Sequence, residues 1–279
     1  MLKIILKTLT KIIAISCLIV GCTSLPYSPP KQDLNYLMEL LPDANLYAHV
    51  NLIKNRSIYN SLSPKYKSVL GLINDLYFSY KKENNDFALL IMGNFPKDIF
   101  WGIHRNRNTE SIGNIFASPK WKLKNSNIYI TPNRARTSIT INQKDKTLKE
   151  HNILTTKYIK EIEENEMFFW IQDSKLLLSD QIASSKNLIP FSSGTLSINR
   201  LNQNEYIFKS LLQTNNPSIL KILSKKLIPT ILTSMSNLTI SSPVKATIKD
   251  QNTVEIEFNI QKSSVENFIA KLASNIQKT

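Results

Sequence analysis

The chain has two cysteines, Cys17 and Cys22, and both lie in its first tenth. No thiol follows them, so no disulfide can brace the 258 residues from Cys22 to Thr279. That body must be held by burial of apolar side chains. Its length suits one large domain or two small ones. Apolar and charged contents of 42% and 20% are those of a folded chain.

The first 21 residues have the layout of an export signal. Lys3, Lys7 and Lys11 make a positive start, and an apolar run extends from Ile12 to Val20. The run suits a signal h-region of about 7–15 residues and is short of the ~20 that span a bilayer. It closes on Ile19-Val20-Gly21-Cys22. Taken alone, these residues fit an ordinary signal peptide or a short uncleaved anchor. The final four also resemble the lipobox of bacterial lipoproteins, in which an aliphatic residue, a small or aliphatic residue and Gly or Ala precede a cysteine. The resemblance implies cleavage between Gly21 and Cys22. It further implies a diacylglyceryl thioether on Cys22, an acylated new amine and no other cofactor. Thr23, where an Asp would favour inner-membrane retention in enteric bacteria, leans toward the outer membrane. Whether the body faces the periplasm or the cell surface stays open.

Residues 22–32 read as the lipidated Cys and a Pro/Ser tether, followed by a first lobe over 33–185 and a second over 186–279. Asp33 caps a short helix with Leu34, Leu37, Met38 and Leu41 on one face. Alternation in "NLYAHVNLI" predicts a strand at 45–53. Ser63-Pro64 starts a helix whose apolar face includes Tyr66, Val69, Leu70, Ile73, Leu76, Tyr77 and Tyr80. "DFALLIMG" (86–93) predicts a central strand, and Pro96 opens a helix burying Ile99, Phe100 and Ile103. "NIYIT", "TSITI", "MFFWI" and "KLLLS" predict further strands. In the last third, Val254, Ile256, Phe258 and Ile260 alternate cleanly, and Ser263 with Glu266 forms a capping box. Segments 194–211 and 254–272 parallel 44–62 and 87–103 in element order. The expected fold is α+β: two similar lobes from an internal duplication, each with antiparallel strands packed against amphipathic helices.

The sequence offers no H-E-x-x-H, C-x-x-C or G-x-S-x-G. Six dispersed glycines cannot form a phosphate-cradling loop. His49, His104 and His151 are far apart, so no metal site and no catalytic residue is expected. The acidic run 161–166 reads as a solvated turn. From Cys22 onward, 32 Lys and Arg stand against 21 acids, a net charge of +11. This favours anionic partners: lipid head groups, acidic glycans or another envelope protein, but not nucleic acid, which an exported chain does not meet. The same lysines also serve simply to solvate a surface. The densest basic stretch holds Arg105, Arg107, Lys120, Trp121, Lys122, Lys124, Arg134 and Arg136, with Glu110 the one acid among residues 104–136. It is the candidate anion- or membrane-contact patch, unless Trp121 is core and the charges are scattered on loops. The helix from Pro217, with Lys221, Lys225 and Lys226, is a second candidate, though core packing explains its apolar face better. The expected role is non-catalytic binding or scaffolding in envelope assembly or lipid handling, with a surface adhesin or an unrecognised hydrolase as rivals.

Overall fold

The computed structural model describes residues 40–41, 44–55, 71–95, 99–112, 119–132, 138–142, 161–162, 164–172, 191–214, 216–222 and 239–265. Among them run twelve strands and two six-residue helices. The pairings within each unit are antiparallel. The fold is therefore mostly β, which corrects the expectation of an α+β body with amphipathic helices on its strands. The described residues fall into two units. Unit 1 takes 40–41, Ala44 and those between Val50 and Tyr158; unit 2 takes Asn45–His49 and those between Ile159 and Lys271. Strand β1 (Leu46–Asn51) contains one of these boundaries.

Unit 1 continues through β2 (Ile73–Lys81), β3 (Asp86–Gly93), α1 (Ile99–His104), β4 (Thr109–Ser111), β5 (Trp121–Leu123), β6 (Tyr129–Pro132) and β7 (Ser138–Asn142). Its strands lie in the order β2-β3-β7-β6-β5-β4. A hairpin comes first, and a four-stranded meander returns its last strand to β3. Asn85 closes the hairpin at φ 54°, its N–H donating to the Lys82 carbonyl at 3.2 Å. Asn tolerates this left-handed conformation better than most side chains. All eight residues of β3 are buried, as a continuous apolar strand requires. Phe87, Leu89 and Ile91 share one core with Ile103, Trp121, Leu123, Ile130, Ile139 and Ile141.

The predicted helix through residue 80 is corrected from Ile73 onward, where the chain is strand β2. A register shift between Ile73 and Asp75 explains the misreading. The extra residue of a bulge lets Ile73 and Leu76, three apart, join Phe78 and Tyr80 in the same core. That spacing imitates a helix face. Ser79 points from β2 into a buried site, where its Oγ accepts from the Leu41 N–H at 2.9 Å. Ser79→Ala removes that acceptor from a buried site. The expected result is a loss of about 2 kcal/mol in urea unfolding.

Unit 2 holds β8 (Met167–Ile171), β9 (Phe191–Arg200), β10 (Glu205–Thr214), α2 (Pro217–Ile222), β11 (Lys245–Ile248) and β12 (Thr253–Gln261), in the order β11-β12-β10-β9-β8. Tyr47, at the start of β1, stacks obliquely on Trp170 with ring centroids 5.4 Å apart. Val254, Ile256, Phe258 and Ile260 are buried as their alternation predicts, with Tyr206, Leu220 of α2 and Val265. Phe208 lies opposite Phe258 in register, their rings stacked at 4.4 Å. The other face carries the ion pairs Lys209–Glu257 (3.0 Å) and Lys249–Glu255 (2.6 Å) beside the exposed Leu211.

The two units also differ in the order in which their strands pair. Unit 1 builds a hairpin and then a meander; unit 2 builds its meander, β8-β9-β10, before its hairpin, β11–β12. Similar element order in the sequence thus feeds different pairings. The predicted strands within 127–131, 137–141 and 167–171 overlap β6, β7 and β8. The helix predicted from Pro96 overlaps α1. "KLLLS", most of the helix from Asp33, residues 56–70, Lys225, Lys226 and Glu266 lie outside the described residues.

Candidate functional site

Residues 120–124 read Lys-Trp-Lys-Leu-Lys. Side chains alternate across a strand, so β5 sends Trp121 and Leu123 into the core at 0% and 4% exposure. Lys120 and Lys122 take the opposite face, both half-buried, and Lys124 follows them exposed at the strand end. In register, Lys122 lies between Glu110 of β4 and Tyr129 of β6. The Lys120 and Lys122 Nζ atoms stand 5.3 and 5.9 Å from the Tyr129 ring centroid. Both are within reach of the ring's negative face. Burial lowers the Lys120 pKa below the ordinary lysine value. Beyond β4, the Ile112 N–H donates to the Lys120 carbonyl at 3.0 Å, and Ile112 is 45% exposed.

Two turns extend the strip. After α1, Thr109 Oγ1 donates to the Ile103 carbonyl at 2.6 Å, and the Asn108 N–H donates to Asn106 Oδ1 at 2.9 Å. These bonds fix the turn that exposes Arg105 and Arg107. The turn after β5 places Asn125 at φ 60°, with the Ser126 N–H donating to the Leu123 carbonyl. The Lys124 N–H donates to the Asn108 carbonyl at 2.9 Å, which holds the two turns side by side.

The fold thus brings Arg105, Arg107, Lys120, Lys122 and Lys124 to one edge of unit 1, with Glu110 as the facing acid. Trp121 belongs to the core, so it is not part of that surface. Arg134 and Arg136 lie outside the described residues. Ile112 was not marked by any sequence signal; only the pairing with Lys120 places it there.

Elsewhere, unit 2 has an open depression lined by Asn202, Gln203, Asn204, Glu205, Gln261, Lys262 and Ser263. Hydrogen bonds from Ser241 and Asn202 hold the Glu205 carboxyl below its usual range. Among the described residues, no three of His, Cys, Asp and Glu group to hold a metal, and no helix is long and apolar enough to cross a membrane.

No protein-family model matches the chain, and no curated protein matches it by sequence. Solved structures do. Crystal forms III, IV and I of TP0453 superpose with TM-scores of 0.59, 0.56 and 0.57. They cover 84%, 84% and 85% of this chain and 97%, 96% and 96% of that one, at 13%, 12% and 14% identity. The likeness is one of fold.

Proposed function

We propose that this is an exported envelope lipoprotein, held to a membrane by a thioether-linked lipid on Cys22, whose folded body binds and does not catalyse. The observation that carries this reading is the sequence Ile19-Val20-Gly21-Cys22 directly after a short apolar run with a lysine-bearing start. A thiol is the side chain able to form the thioether. Two or three acyl chains, at about 0.8 kcal/mol per buried methylene, make a lasting anchor. The cationic strip of unit 1 supports a binding role at an anionic surface. Thr23 supports the outer membrane as the destination.

The test is fractionation of cells grown with radiolabelled fatty acid, comparing the parent chain with Cys22→Ala. The parent is expected in the membrane fraction carrying label, at the density of outer membrane. The variant is expected to take up no label. Mass spectrometry showing a free thiol at Cys22 in the native product overturns the proposal.

A further inference from the structure

Among the described residues of 104–132, Glu110 is the one acid beside the five cations of the strip, and the strip has a directional composition. At one end are Arg105, Arg107 and Lys124, all exposed; along the face are Lys120, Lys122 and the Tyr129 ring; at the other end is Ile112, 45% exposed. Cations suit phosphate oxygens. A phenol ring suits head-group depth, and an exposed aliphatic side chain suits the acyl boundary. A soluble acidic polysaccharide answers the cations but offers nothing apolar to Ile112.

Geometry supplies the other argument. Only 17 residues lie between Cys22 and Leu40, a reach of at most about 65 Å. A body tethered so closely samples the bilayer at high effective concentration, so weak contacts suffice to orient it. We infer that the outer face of β4–β6 docks on the anionic phospholipid surface of the bilayer that carries the Cys22 anchor. The inference rests on the anchored reading above and adds a second, electrostatic contact.

The experiment uses the natively processed full protein, mixed with vesicles of phosphatidylcholine alone or of phosphatidylcholine with phosphatidylglycerol. Flotation with the neutral vesicles reads the anchor. Amine acetylation, mapped by mass spectrometry, reads the docking. On anionic vesicles Lys122 and Lys124 are expected to lose reactivity at least about fivefold relative to neutral ones, the population shift that even one interfacial cation supplies. Lys54 and Lys245, exposed elsewhere, change less than twofold. Reactivity returns at roughly 1 M salt, where the screening length falls to about 3 Å. Equal labelling on both vesicle types overturns the inference. So does uniform protection of all four lysines, which means net charge and not a face. Protection by soluble dextran sulfate without protection by anionic vesicles assigns the strip to a glycan and overturns membrane docking. Failure to float with neutral vesicles sinks the anchored reading alone, since protection on anionic vesicles is scored independently.

Discussion

Trp121→Ala is expected to lower unfolding stability by about 4 kcal/mol, the range seen when a large aromatic side chain is deleted from a packed core. Trp121 is 0% exposed and shares its core with β3, α1, β6 and β7 residues, among them Leu89, Ile103, Ile130 and Ile141. Ile130 lies opposite it in register. The indole therefore fills space that no neighbouring side chain can recover without moving a strand. Folded proteins carry only about 5–15 kcal/mol in total, so this one change removes a large share. Lys122→Ala, one residue away on the other face, is expected to shift stability by less than about 0.5 kcal/mol. Urea unfolding of the two variants checks the pair. A Trp121→Ala loss below about 1 kcal/mol would mean that the indole is at a surface, and the division of β5 into a core face and a cationic face would fail.

That division was half legible beforehand. The excess of Arg and Lys in residues 104–136 is plain in the sequence, and so is an aromatic residue among them. What decides the site is pairing. Arg107 and Lys124 are neighbours because Asn108 accepts a bond from the Lys124 N–H, and nothing local announces a bond across that separation. Strand β5 is three residues long, too short for its alternation to stand out from chance. Longer strands were readable: β12 shows period two over nine residues, and β3 shows the unbroken apolar run of a strand covered on both sides. Strand β10 has the same alternation in Tyr206, Phe208, Ser210 and Leu212, but Ser210 on that face and Ile207 and Leu211 on the other dilute it. Strand β2 misled for a definite cause, since its bulge places core residues at helical intervals.

Gly93→Ala tests the same bulge from the other strand. In β3, Gly93 pairs with Ile73, and a Cβ built on it stands 2.0 Å from the Leu72 carbonyl oxygen and 2.9 Å from Ile73 Cα. These are backbone atoms, so no rotamer change relieves the clash. The same Leu72 oxygen accepts from the Asn94 N–H at 2.8 Å. Moving it aside therefore strains the bulge and breaks a hydrogen bond. The expected cost is about 3 kcal/mol, the upper part of the usual range for overpacking. Gly194→Ala is the comparison. There the new methyl group meets the Leu212 Cδ2 at 2.8 Å, a movable atom, with the Leu211 carbonyl oxygen at 2.9 Å. About 1 kcal/mol is expected. Thermal or urea unfolding ranks the two. Equal costs would mean that β2 and β3 do not approach as closely beside the bulge as the pairing at Ile73 requires. The register that carries Leu89 and Ile91 into the Trp121 core would then have to be redrawn.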